Sequence, residues 1–158
     1  MTRSAEVAGL FITSDCALPM SIVEEVEAVA ERGLVGDRYF EHRGKYSGKP
    51  GWGANVTLLE AEAIAAINAG HDVDFVGAML RRNILTTGIR LDTLISRKFR
   101  CGEATLRGTK TFPPCMHLAH LLGRRDVLRF FAYCGGIGAD VVVAGRIRLG
   151  DRIELLDD

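Results

Sequence analysis

Ala139-Asp140-Val141-Val142-Val143, then Ile147-Arg148-Leu149, then Gly150-Asp151 and Ile153-Glu154-Leu155-Leu156 read as short strands joined by turns. The chain starts in the same way: residues 6–13 (EVAGLFIT) form an apolar strand that runs into the turn-prone Ser14-Asp15. Between these ends, Arg82-Asn83-Ile84-Leu85-Thr86-Thr87 reads as a strand closed by Gly88, and Phe99 to Arg107 shows mixed alternation. Strands in both halves, without regular strand–helix alternation, argue against a doubly wound sheet. The expected architecture is mostly β with inserted short helices (α+β), curled into a barrel.

The helices fill the intervals. The spacing predicts one over 58–69, with Thr57 as N-cap, Glu60 completing a capping box and Gly70 ending it. A helical turn is expected over 74–80, and two short helices over 115–122, ending at Gly123, and 125–133, ending near Gly135-Gly136. Residues 22–30 fit both alternation and helical periodicity. Gly33 to Arg38 makes a tight loop, and Glu41 to Gly53 is polar and glycine-rich, a mobile surface loop suited to a rim or lid.

At 158 residues the chain fits one domain, 1–158, able to hide roughly 70% of the surface of its unfolded form. Lys plus Arg and Asp plus Glu number 20 each, so the basic excess of a nucleic-acid binder is absent. No apolar run approaches the ~18 residues of a membrane span. The start, Met1 to Glu6, lacks a secretory pattern, and a cytoplasmic location is expected. Cys16, Cys101, Cys115 and Cys134 are scattered, without a CxxC pair, which favours reduced thiols over disulfides or structural zinc.

Thr111-Phe112-Pro113-Pro114-Cys115-Met116-His117-Leu118 is the segment where chemistry is expected. Two prolines stop a strand there, and Pro114 suits the start of a helix. Cys115 then falls in a first turn, where free N–H groups and the helix dipole favour a thiolate able to attack an electrophile, carry sulfur or bind a soft metal. The alternative is a small buried hydrophobe, and local context alone favours it. His117 and His120 share a helix face and extend the pattern to C-x-H-x2-H, but the spacing matches no structural zinc site and no fourth ligand is evident. A histidine beside the thiol remains a candidate proton shuttle.

Arg81-Arg82-Asn83 and Asp37-Arg38 supply groups able to hold a phosphate, or simply to pair with one another and with solvent. There is no Walker-type loop and no G-x-S-x-G elbow. Gly135-Gly136-Ile137-Gly138 reads as a helix exit, and Cys101 and Cys134 as packing residues.

Seven pieces occur in a recognisable order. They are Gly33-Leu34-Val35-Gly36-Asp37-Arg38-Tyr39-Phe40, Asn55-Val56-Thr57-Leu58-Leu59-Glu60-Ala61-Glu62, Arg81-Arg82-Asn83-Ile84-Leu85-Thr86-Thr87-Gly88, Leu91-Asp92-Thr93-Leu94-Ile95, Phe99-Arg100-Cys101-Gly102, Pro114-Cys115-Met116-His117-Leu118 and Ile147-Arg148-Leu149-Gly150-Asp151. Together they resemble a MOSC domain, the C-terminal domain of molybdenum cofactor sulfurase, over nearly the whole chain.

That resemblance implies a mostly β, barrel-like fold and a functional cysteine at Cys115. It links this cysteine either to carrying sulfur, as a persulfide for metal–sulfur cofactor assembly, or to ligating molybdenum of a pterin cofactor (molybdopterin). The second role is similar to that in proteins that reduce N-hydroxylated compounds. Many relatives carry another cysteine where this chain has Phe112, so a vicinal pair is absent. Arg38, Arg81, Arg82 and Asn83 are expected to line a pocket for the pterin phosphate, with Asp37 orienting an arginine and Asn55 and Thr86 as further candidates. The sulfurase's pyridoxal-phosphate domain has no room here. Sulfur would then come from a cysteine desulfurase-type donor, or electrons from a redox partner, since the chain has no flavin, haem or iron–sulfur motif.

Overall fold

The computed structural model describes residues 4–49 and 52–157. Met1 to Arg3, at the start read for a signal, and Pro50 and Gly51, within the glycine-rich loop, lie outside the described residues.

The strands are β1 (Glu6–Ile12), β2 (Ser21–Val23), β3 (Glu25–Val29), β4 (Gly33–Leu34), β5 (Val56–Glu60), β6 (Ile84–Thr87), β7 (Lys98–Cys101), β8 (Ala104–Thr111), β9 (Ile137–Val143), β10 (Gly145–Arg148) and β11 (Ile153–Leu155). Three short helices are inserted, α1 (Ala61–His71), α2 (Met116–Leu122) and α3 (Asp126–Phe130), with 3-10 turns at Gly77–Leu80 and Leu91–Leu94. The protein is therefore mostly sheet with a few short helices.

One sheet has eight strands in the order β11-β7-β8-β9-β5-β6-β1-β2, and β10-β3-β4 forms a second. Among the described strands β5 and β6 pair in parallel, with Leu58 opposite Ile84, while the other strand pairs are antiparallel. The large sheet curls until a single bridge, Glu6 to Arg152, joins β1 to the approach of β11. The Val7 N–H donates to the Asp151 carbonyl at 2.9 Å beside it. Neither sheet closes into a barrel by a continuous ladder. The barrel expected from the sequence is thus present only as strong curvature.

The helix expected over 58–69 starts later. Residues 58–60 belong to β5, and Glu60, without a side-chain cap, stands where Thr57 was expected. The reason is burial on both faces. Leu58 joins a core between the sheets with Leu10, Ile84, Phe99 and Leu106. Leu59 joins a second core with Phe75, Leu118, Val127 and Phe131. A strand buried on both sides shows a continuous apolar run with no alternation, which periodicity confuses with a helix. Thr57 is engaged elsewhere, through Asn83. At the other end α1 runs through Gly70 to His71, and Asp72 supplies the left-handed exit (φ 52°).

The ambiguous stretch 22–30 resolves into β2 and β3, and the mixed alternation over 99–107 is a hairpin, β7 and β8 turning at Gly102. The last expected helix, 125–133, shortens to α3. In the second core, Leu118 and Ala119 bury one face of α2 and thereby fix the residue that begins it.

Candidate functional site

Cys115 occupies the N-cap position of α2, with extended backbone (φ −124°, ψ 171°). Its carbonyl accepts the Ala119 N–H at 3.1 Å, which opens the helix. The thiol is half-buried and lines a cavity of about 30 Å³ with Cys16, Arg38, Tyr46, Arg81, Arg82 and His117. That volume holds roughly one or two water-sized atoms.

Arg82 forms the floor. Its Nε donates to the Gly135 carbonyl at 2.9 Å, one terminal nitrogen to Phe112 at 2.6 Å and the other to Leu80 at 3.4 Å. The guanidinium lies 4.4 Å from the Phe112 ring centroid. This one side chain ties the end of β8 to the strand entry after α3, the two segments that bracket Cys115. The glycines seen in the sequence permit this. Gly136 has φ +94°, and a Cβ there would run into the Leu58 carbonyl. Burial lowers the Arg82 pKa to about 10, opposed first by the nearby Cys115 sulfur. An anionic sulfur at Cys115 thus has a guanidinium beside it.

Arg81 and Arg38 form a second layer. Arg81 sits in the left-handed region (φ 57°), which costs a residue with a side chain on the order of 1 kcal/mol. The conformation is held because Arg38 Nη2 donates to the Arg81 carbonyl at 3.1 Å, while the Arg81 guanidinium donates to the carbonyls of Leu18 and, at 3.0 Å, Cys16. Arg38 Nη1 pairs with the fully buried Asp37 at 3.1 Å. The Asp37 carboxylate also accepts the Thr13 N–H at 3.2 Å and the Tyr39 N–H at 3.3 Å.

The remaining expected residues lie elsewhere. Asn83 is buried behind the floor, where its Oδ1 accepts the Thr57 N–H at 3.0 Å and its Nδ2 donates to Phe11 at 3.1 Å. Thr86 donates to the Leu59 carbonyl at 3.4 Å, inside the sheet. Asn55 lines a larger groove of about 630 Å³ with Tyr39, His42, Lys49, Trp52 and Asp140. Asn83 and Thr86 therefore satisfy backbone groups, and Asn55 faces a separate opening.

Sequence reasoning passed over Tyr46. The Cys115 sulfur is near enough to its hydroxyl to be the first cause of a Tyr46 pKa raised to about 12. The Tyr46 ring stacks on Trp52 at 4.6 Å, and Trp52 meets Phe112 edge-on at 5.4 Å. These aromatics stand in a loop that composition marks only as polar and glycine-rich; two rings seven residues or fewer apart were the available signal. His117 is present in the cavity, with Nε2 donating to the Cys16 carbonyl at 3.0 Å, since a carbonyl only accepts. His120 is not in that cavity but lines the open hollow beyond it.

A pterin cofactor would need donors for its phosphate and room for its ring. The three arginines direct donors to Asp37 and to backbone carbonyls, and no buried side-chain nitrogen or oxygen among the described residues lacks a hydrogen-bond partner. Part of their donor capacity is therefore taken, and a cavity of about 30 Å³ has no room for a pterin ring. In this arrangement the site does not fit the cofactor. Nor do three or more His, Cys, Asp or Glu side chains gather as a ligand set among the described residues.

The fold and site together define a curled, mostly β domain with a half-buried cysteine at a helix entry, set over guanidinium groups. The chain belongs to the MOSC domain family, whose model matches residues 38–154. Its relation to molybdenum cofactor sulfurase therefore stands at the level of the domain. The YuaD protein of Bacillus subtilis has the same fold, with a TM-score of 0.78 at 17% identity, covering 97% of this chain and 96% of that one. YiiM from Escherichia coli superposes with a TM-score of 0.70 at 19% identity, covering 100% of this chain and 71% of that one. YiiM from Geobacillus stearothermophilus gives 0.73 at 13% identity, over 97% and 75%. No curated protein matches the sequence. Among the described residues no helix is long and apolar enough to cross a membrane.

Proposed function

We propose that this protein is a sulfur carrier, with Cys115 taking a sulfur atom as a persulfide and passing it on to metal–sulfur cofactor assembly. The observation that carries this reading is the fit of the cavity. Around the thiol there is space for about one added atom, with a guanidinium and a phenol hydroxyl close by. In uptake, the Cys115 thiolate attacks the outer sulfur of a donor persulfide. The donor's S–S bond breaks, its thiol leaves with the electron pair, and Cys115 holds the new S–S bond. A cysteine desulfurase-type protein is the donor class that supplies such a persulfide.

Incubation with a cysteine desulfurase and L-cysteine is expected to add one sulfur mass to the Cys115 peptide and none to the Cys101 or Cys134 peptides. Equal labelling of Cys16 and Cys134 would remove the specificity on which the reading depends. The alternative from the family resemblance is a molybdenum-dependent oxidoreductase, with Cys115 as metal ligand and an external electron donor for N-hydroxylated compounds. It has less support, because the arginine donors are engaged and the cavity is small. Metal and pterin analysis of protein from a molybdenum-replete host separates the two: bound molybdenum that is lost in Cys115→Ala would favour the alternative.

A further inference from the structure

The cavity over Cys115 is lined by a second cysteine, Cys16, which sulfur uptake leaves unused. Cys16 stands in the turn between β1 and β2 and is half-buried. Its peptide is held by two groups of the site: the Arg81 guanidinium donates to the Cys16 carbonyl at 3.0 Å, and so does His117 Nε2 at 3.0 Å. His117 lies two residues beyond Cys115 in the first turn of α2, so this bond fastens the Cys16 turn to the helix entry itself. The residues from Ser14 to Met20 form no strand ladder, which leaves the turn able to adjust. Cys16 thus lines the cavity of Cys115 from a segment about a hundred residues away in sequence.

We propose that Cys16 is the resolving thiol for a persulfide on Cys115, and that sulfur leaves this protein as hydrosulfide. This deepens, and rests on, the sulfur-carrier reading. Cys16 Sγ attacks Cys115 Sγ, and the bond from Cys115 to its outer sulfur breaks. Hydrosulfide departs with that electron pair and the Cys16 proton, leaving a Cys16–Cys115 disulfide. The outer sulfur is reduced from the sulfane level to sulfide while the two cysteine sulfurs are oxidised, so no external oxidant is needed. A small-molecule or protein dithiol then reduces the disulfide for the next cycle. A disulfide holds its Cα atoms within about 7 Å, so the Cys16 turn and the entry of α2 must come to that separation for the bond to form.

The test uses the full chain, loaded with cysteine desulfurase and L-cysteine, freed of donor and held without reductant. Sulfide is measured in solution, and the cysteines are mapped by peptide mass spectrometry without reduction. Wild type is expected to release one sulfide per Cys16–Cys115 disulfide formed. Cys16→Ser is expected to retain the extra sulfur on Cys115 and release sulfide at least about tenfold more slowly. Cys134→Ser should behave as wild type. A Cys115 persulfide with equal sulfide release in Cys16→Ser, or a disulfide to Cys134 instead, overturns this proposal while the carrier reading stands. No extra sulfur on Cys115 in any of these proteins removes both.

Discussion

Cys101 and Cys115 carry the same side chain into opposite surroundings. Cys101 ends β7 inside the core between the sheets, fully buried, and burial together with Asp151 pushes its thiol up to about 12. Cys115 begins a two-turn helix at the edge of the second core, half-buried, with Arg82 below it and Tyr46 over it. One is shielded from water and from reagents; the other has a cavity, a positive charge and a hydroxyl donor. The contrast teaches that a thiol's surroundings here are decided by where the chain leaves a strand, not by cysteine content. The Pro113-Pro114 pair ends the ladder, and the exposed entry of α2 receives what the ladder would have buried.

The largest effect expected from breaking this contrast is chemical. Cys115→Ser should lower desulfurase-dependent sulfur uptake by more than about a hundredfold, because the hydroxyl is a far weaker nucleophile at neutral pH. Its melting temperature should stay within about 2 °C of wild type, as a half-buried thiol makes little of the core. A variant that unfolds or that still takes up sulfur would place the chemistry elsewhere.

Arg82 comes next, because it supports the Cys115 side by structure as well as charge. Arg82→Met removes the donors to Gly135, Leu80 and Phe112 and leaves their carbonyls unpaired in the interior. The expected cost is about 3 kcal/mol, read as a lower denaturation midpoint in urea. Arg82→Lys keeps the charge but not the three-way fork, and should lose most of the same stability. If Lys restores full stability, the carbonyl ties are not what holds the segment.

On the Cys101 side the effect depends on pH. Its folded pKa is raised to about 12 from an ordinary 9.0, so above pH 9 the unfolded chain loses a proton that the folded protein keeps. Stability that is complete below pH 9 therefore falls as pH rises towards 12, by about 1.4 kcal/mol per pH unit from this group. Cys101→Ala should flatten that alkaline limb while costing roughly 1–2 kcal/mol at neutral pH from lost packing. An unchanged limb would mean that Cys101 is not the buried group that titrates.

Much of this contrast was legible in the sequence, and the rest was not for identifiable reasons. The double proline before Cys115 announced a strand stop and a helix start, and both are there. The short C-terminal strands were read directly because their turns carry glycine and aspartate. The β5 strand was taken for a helix because it is buried on both faces. Asp37 beside Arg38 was readable as a local pair, whereas the carbonyl partners of Arg81 and Arg82, Leu80 apart, are 30 to 65 residues away and leave no mark in spacing. The Cys16 carbonyl meets His117 across 101 residues, which only the curl of the large sheet brings together.

Tyr46 offers the smallest and most selective probe of the Cys115 surroundings. The Cys115 sulfur is the first cause of its raised pKa, ahead of burial, and the value is about 12 against an ordinary 10.0. A hydrogen bond in which the phenol donates is lost when the phenol ionises, so the sulfur opposes ionisation. Replacing Cys115 with Ala removes that opposition while the ring keeps its stack on Trp52 at 4.6 Å. Tyr46 should then ionise nearer pH 10. At pH 10.5, below the range where Cys101 has cost most of its alkaline stability, tyrosinate absorbance near 295 nm should be higher in Cys115→Ala by roughly half of one tyrosine. Tyr46→Phe in the same background should abolish the difference, which assigns it to this ring rather than to Tyr39 or Tyr133. Coincident titrations of wild type and Cys115→Ala would mean that the hydroxyl does not rest on the sulfur, and the loop from 41 to 49 would lose its place in the chemistry of Cys115.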